Sequence, residues 1–126
     1  MDYSARDLPG YADRIDGVTR YIREHIDEPL QRDVLAGVAG FSVAHFHRLF
    51  AASVGQSMAG YVRWLRLGRA GRKLRMGAVD ITEVALAAGY DTHASFGKAF
   101  KHRFGLSPSA FRQLDCWVAT DLLRRG

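Results

Sequence analysis

The feature that most constrains this 126-residue chain is a turn that occurs twice. Aligning Gly40 with Gly89 lays Leu35-Ala36 on Val84-Ala85 and Ala39-Gly40-Phe41 on Ala88-Gly89-Tyr90. The second turn is one residue longer. With that allowance Ala44, Phe46, Phe50 and Gly55 fall on Ala94, Phe96, Phe100 and Gly105. Each copy reads as a short helix, a tight glycine turn and a longer helix, the order of a helix-turn-helix. Glycine suits so sharp a turn because it reaches positive φ without steric cost. One copy would fit an αα-hairpin of any bundle, but two copies in one chain favour a duplicated device.

The rest of the chain reads as helix. Prolines occur only at positions 9, 29 and 108, each at or before an expected helix start. Tyr11, Ile15, Val18 and Ile22 recur at helical spacing and predict an amphipathic helix from Tyr11 to His25 that ends before Pro29. A short helix over Gln31–Val38 follows. Ser42 is a suitable N-cap for a helix to Val54 closed by Gly55. Ser57 caps a longer basic helix to Met76, ended by Gly77. Asp80-Ile-Thr-Glu83 has capping-box character and starts a short helix stopping near Gly89. Thr92 caps the next, to Gly105, and Ser107-Pro108 opens the last. The expectation is an all-α fold of seven helices without strands.

Helical geometry sorts the faces of the two longer helices. At ~100° per residue, Phe46, Leu49, Phe50 and Ser53 share one side and Ala44, His47, Arg48 and Ala51 the other. In the second copy Phe96, Ala99 and Phe100 point inward while Ala94, Gly97, Lys98 and Lys101 point outward. Buried aromatics would anchor each helix. A face of small residues with one or two cations would then be left able to approach a duplex closely, where Arg48 has the two-pronged geometry that suits guanine O6/N7. The helix between the copies, about 19 residues at ~1.5 Å each, spans ~28 Å. Successive major-groove segments on one side of a duplex lie ~34 Å apart.

Charge is segregated in the same way. The chain carries 18 Lys and Arg against 13 Asp and Glu, a formal net charge of +5. Eight of the acids lie in residues 1–40, whereas residues 41–79 contain none, with Arg48, Arg63, Arg66, Arg69, Arg72, Lys73 and Arg75. Asp80, Glu83 and Asp91 form a short acidic patch. Residues 92–114 are again free of acids and carry Lys98, Lys101, Arg103 and Arg112. A basic surface of this kind releases condensed counterions from DNA.

Other function classes fare worse. The single cysteine, Cys116, excludes an internal disulfide framework and any cysteine-rich zinc module, and suits a reducing compartment. His45 and His47 would point ~200° apart on a helix and cannot share a metal. No nucleophile elbow or phosphate loop is present, since Gly68-Arg-Ala-Gly71 lies within a helix. The expectation is therefore no enzyme, no catalytic residue, no metal and no cofactor. No stretch reaches the apolar length of a membrane span, and the N-terminus lacks a secretory h-region, so a cytoplasmic protein is expected. A basic protein-interaction module and an arginine-rich membrane-surface helix over Tyr61–Arg75 are the rival readings. Neither needs two similar reading helices.

Taken together, the motifs carry a family resemblance. His25-Ile-Asp-Glu-Pro-Leu30, Ala39-Gly-Phe-Ser42, His45-Phe-His-Arg-Leu-Phe50, Tyr61-Val-Arg-Trp-Leu-Arg66, Ile81-Thr-Glu-Val-Ala85, Ala88-Gly-Tyr90, Phe96-Gly-Lys-Ala-Phe100 and Arg103-Phe-Gly-Leu-Ser-Pro108 resemble the DNA-binding domain of the bacterial AraC/XylS transcription regulators. The resemblance covers residues 11–114. It implies two homeodomain-like helix-turn-helix subdomains, 11–56 and 77–114, joined by a linker helix over 57–76, with a 1–10 extension and a 115–126 tail that ends the last helix. It also implies binding of double-stranded promoter DNA, activation of transcription and contact with RNA polymerase. By position, the resemblance puts Ala44, His47 and Arg48 of the first reading helix, and His93, Ala94, Gly97 and Lys98 of the second, at base edges. Ser42, Ser95, Lys101 and Arg112 correspond to phosphate contacts.

The chain departs from the family pattern in places. Ala44 and Gly97 are small, which shifts readout toward Arg48, His47 and His93. Gln31 replaces a capping serine. Gly60, Gly68 and Gly71 interrupt the linker helix, each at up to ~1 kcal/mol relative to Ala, and predict either a flexible spacer or close packing. The chain is expected to act on DNA as a monomer unless a further domain dimerises it, and to be either a small stand-alone regulator or part of a longer one.

Overall fold

A computed structural model of the chain describes residues 10–77 and 80–125, and every described element is helical. The order is α1 (Tyr11–Glu24), α2 (Arg32–Ala39), α3 (Val43–Val54), α4 (Met58–Leu74), α5 (Ile81–Ala87), α6 (His93–Phe104), α7 (Pro108–Arg112) and α8 (Cys116–Arg125). Pro9 and nearly all of the expected 1–10 extension lie outside the described residues, as does the Tyr11 side chain. The chain divides into two compact units, 1–62 and 63–126, with the boundary inside α4.

Local capping chemistry sets most helix ends. The Ser42 hydroxyl accepts the His45 amide at 3.4 Å, Thr92 accepts that of Ser95 at 3.0 Å, and Ser107 accepts that of Ala110 at 3.1 Å. Asp80 accepts the Thr82 amide at 2.9 Å, and Ser57 that of Gly60 at 3.1 Å. Each bond satisfies an amide that the helix itself leaves unpaired. Gln31 occupies the N-cap of α2 without a side-chain cap bond.

In the first unit α1 packs on α2 and α3. Ile15, Val18 and Ile22 supply the buried stripe of α1, and Leu35, Phe46, Phe50 and Tyr61 are buried with them. Phe50 meets Phe46 and Tyr61 at ring separations of 5.6 and 5.7 Å, and Arg23 donates to the Tyr61 hydroxyl at 3.2 Å. The core of the second unit is built on Phe96, Phe100, Phe104 and Phe111 from α6 and α7, with Leu67, Ala70 and Leu74 of α4 and Val84 and Ala85 of α5.

Among the described residues there are eight helices where seven are expected. The sequence offers no Gly or Pro between residues 112 and 116. Instead a guanidinium from a distant element marks the end of α7: Arg75 donates from Nη1 to the carbonyls of Phe111 at 3.3 Å and Arg112 at 2.9 Å. The chain then turns, and α8 restarts with the Ala119 amide on the Asp115 carbonyl at 3.0 Å. Residues 115–126 therefore do not end the last expected helix. Cys116–Arg125 build a further one, which adds Ala119, Leu122 and Leu123 to the second core.

The linker glycines mark close packing. A Cβ on Gly68 would lie 2.7 Å from Nη1 of Arg103, and one on Gly71 would lie 2.9 Å from Leu123 and 3.5 Å from Phe111. At Gly60 the neighbour is the capping hydroxyl of Ser57, at 3.1 Å.

Candidate nucleic-acid interface

The two turns are the same bond for bond. In the first, the Gly40 amide donates to the Gly37 carbonyl at 3.1 Å and the Phe41 amide to Ala36 at 2.9 Å. In the second, Gly89 donates to Leu86 at 3.0 Å and Tyr90 to Ala85 at 3.0 Å. Gly40 and Gly89 have φ of 77° and 93°, the left-handed conformation that favours glycine. Between the helices of the first copy the chain bends by 78°. The extra residue of the second copy falls after Tyr90, at Asp91, so that Thr92 and Ser42 take equivalent capping places.

Each longer helix is anchored on one side and open on the other. Phe46 and Phe50 of α3 are fully buried and Leu49 nearly so, while Ala44, Arg48 and Ala51 are exposed. His47 lies half-buried beside them, and its Nδ1 is shielded from solvent with no hydrogen-bond partner among the described residues. On α6, Phe96 and Phe100 are fully buried, whereas His93, Ala94, Lys98 and Lys101 are exposed and Gly97 is half-buried. Ser42 and Ser95 sit at the exposed starts of these helices. Ser95 Oγ donates to the Thr92 carbonyl at 3.0 Å and accepts from the Thr92 hydroxyl at 2.8 Å. Thus α3 gathers Ser42, Ala44, His47 and Arg48, and α6 gathers His93, Ala94, Ser95, Gly97, Lys98 and Lys101.

Arg112 stands apart at the end of α7, where it donates to the Gly77 carbonyl at 3.1 Å. With Arg75 reaching the other way, it forms a clasp between the end of α4 and α7.

The open faces suit an anionic, closely approaching partner. Small residues let backbone come near, cations sit on the same face, and the N-terminal end of each helix adds partial positive charge. The exposed cysteine, Cys116, begins α8 away from both faces in sequence. Among the described residues no group of three His, Cys, Asp or Glu side chains could hold a metal ion, and no single helix is long and apolar enough to cross a membrane.

One basic residue from the acid-free stretch behaves differently from the rest. Arg103 is half-buried on the inner side of α6, with its guanidinium 4.3 Å from the Trp64 ring and 4.5 Å from that of Phe104. Nη1 donates to the Trp64 carbonyl, and Nε is buried without a partner among the described residues. Burial, with the charge of Arg72 adding to it, lowers its pKa from the usual arginine range to about 10, so it remains cationic at neutral pH. Tyr90, beside the second turn, has its phenol pKa raised by burial against the opposing effect of Arg63. The wheel that puts Ser53 on the inner side of α3 puts Arg103 in the matching place on α6, and Gly68 inside a helix is the second signal.

Comparisons with known proteins agree with this geometry. A helix-turn-helix domain family matches residues 35–114. The transcriptional regulator Rob of Salmonella typhimurium is 33% identical over 99 residues, which take in 79% of this chain and 34% of Rob. The chain thus spans about a third of that relative's length. The regulatory protein SoxS of Escherichia coli K12 is 34% identical over 98 residues, covering 78% of this chain and 92% of SoxS. Among solved structures, an AraC-type transcriptional regulator from Chromobacterium violaceum superposes with a TM-score of 0.75 at 27% identity, over 83% of this chain and 94% of that one. The DNA-binding domain of AdpA, a global transcriptional factor solved with a target DNA, gives 0.69 at 26% identity, over 79% of this chain and 89% of that one. The relatives and the fold are those of transcription regulators, not of enzymes. The repeated turn, the paired open helices and these matches lead to one assignment: the chain belongs to the AraC/XylS family of helix-turn-helix transcription regulators and carries its DNA-binding domain.

Proposed function

We propose that the chain is a sequence-specific regulator that reads two adjacent major-groove segments of promoter DNA, one with α3 and one with α6. The observation that carries this reading is the duplication itself: two turns with matching hydrogen bonds, each presenting a helix whose aromatic side is buried and whose small, cationic side is open. A scaffold that needed only a basic surface would not need the turn twice. Arg48, His47 and Ala44 take one set of base edges, and His93, Ala94, Gly97 and Lys98 the other. Ser42, Ser95 and Lys101 take flanking phosphates. Arg112 reaches a phosphate only by sharing or leaving its bond to Gly77.

The reading extends to organisation and outcome. The two helix-turn-helix subdomains are 11–56 and 77–114, with the linker between them, and the protein binds as a monomer in the cytoplasm. Activation through RNA polymerase is the expected outcome, and in a longer regulator this region would supply the DNA contact. Selection of duplexes from a randomised pool tests the reading. Enriched sites should contain two short conserved blocks about ten base pairs apart, and binding should weaken log-linearly with salt. A folded sample that enriches nothing at moderate salt defeats it.

A further inference from the structure

The arginine at position 103 belongs by charge to the basic set that a duplex would neutralise, but its surroundings point elsewhere. Its guanidinium lies in a notch on α4. One wall of the notch is the Trp64 ring, the floor is the bare Cα of Gly68, and the far side is Phe104. The Trp64 carbonyl receives Nη1, which uses the lone pair left over after the helix bond. A methyl group on residue 68 would stand 2.7 Å from Nη1, 3.3 Å from Nη2 and 3.4 Å from Cζ, so the guanidinium would have to shift from this position if residue 68 carried a side chain. Gly68 weakens the helix as an isolated element, and what it gains is the seat for Arg103. The fit depends on a flat, delocalised cation. Lysine carries the charge but can neither stack over Trp64 nor present a planar fork.

We infer that Arg103 is a positioning residue for the second reading helix: seated on Gly68 and Trp64, it fixes the angle at which α6 presents His93, Ala94, Gly97 and Lys98, and it neutralises no phosphate. The inference rests on the reading of α6 as a DNA probe. In the first copy the matching place is held by Ser53, which cannot span a comparable gap, so the device serves α6 alone.

The test uses the full chain and a duplex carrying both selected blocks, with variants in which either block is scrambled. The second block is defined as the one whose preference disappears in the double variant His93→Ala, Lys98→Ala. Arg103→Lys, Arg103→Met and Gly68→Ala are then titrated over a salt series. Each should lose about tenfold in affinity for the intact site, the scale of one lost base contact. The loss should fall on discrimination in the second block, with the first block read normally and the slope of log K against log salt unchanged. A phosphate contact behaves otherwise: removing it flattens that slope by about 0.9 and weakens all duplexes alike, and lysine restores it. Wild-type behaviour of Arg103→Lys, with a flattened slope for Arg103→Met, overturns the inference. So does normal second-block reading in all three variants. Circular dichroism melts check folding. Should Gly68→Ala not fold, the lysine and methionine variants decide together, since lysine keeps the charge but loses the stack and the fork. A double variant that leaves both blocks readable refutes the reading of α6 itself, which separates that failure from a failure of Arg103.

Discussion

The two helix-turn-helix copies share a backbone plan but are held together differently. The first copy rests on aliphatic side chains from α1, with Phe46, Phe50 and Tyr61 as its only fully or nearly buried aromatics among the described residues. The second joins its aliphatic residues from α4, α5 and α8 to four phenylalanines whose rings meet at 4.6 to 5.6 Å, and adds the Arg103 seat and the Arg75 clasp. The comparison teaches that the turn and the N-caps of the reading helices are the invariant part, because they depend on bonds between neighbours in the chain. Each copy is free to bury its reading helix against whatever its own surroundings supply.

The largest effects should come from the cores. Phe100→Ala removes a ring that touches Phe96, Phe104 and Phe111, and should cost near the upper end of the ~3–5 kcal/mol seen for such deletions. Phe50→Ala, with ring partners Phe46 and Tyr61, should fall near the lower end. Urea denaturation of the two variants would compare them, and a larger loss for Phe50→Ala would reverse the contrast drawn here.

Base reading should separate the copies next. Arg48→Ala is expected to weaken binding by ~1–3 kcal/mol and relax preference in a single block. Competition against each scrambled duplex measures this, and equal weakening on every sequence would make Arg48 a phosphate contact.

The turns should respond equally. Gly40→Ala and Gly89→Ala force a side chain into left-handed backbone, at roughly 1–2 kcal/mol each. Neither position is crowded, since nothing lies within 4 Å of a Cβ on Gly40 and the nearest atom to one on Gly89 is an arginine nitrogen at 3.7 Å. Thermal melts that differ widely between the two variants would mean that the turns are not equivalent.

The smallest effects belong to the caps. Thr92→Ala should cost about 1 kcal/mol, and Ser42→Ala less, because the Ser42 bond is longer, 3.4 against 3.0 Å, and Thr92 also bonds Ser95 Oγ. Chemical denaturation of the pair would rank them.

Much of this architecture is legible from the order of residues. The caps at Ser42, Ser57, Asp80, Thr92 and Ser107 stand where expected, as do the positive φ of Gly40 and Gly89 and the buried sides of both longer helices. The open faces of α3 and α6 follow from the same periodicity. Less legible was the C-terminal region, where the break after α7 has no glycine or proline to announce it. By charge Arg103 belongs to the basic surface, although its place in the helical period is that of an inward residue.

Bonds that close within one turn of helix, or across one tight turn, involve residues two to five positions apart, so the chain alone set the helices through α7, their caps and the repeat. The roles of Gly68, Gly71, Arg75, Arg103 and Arg112 depend on partners 33 to 52 positions away. Only folding brings those partners within reach, and only the packed structure decides whether a glycine is a weak point or a seat, and whether an arginine faces DNA or the core.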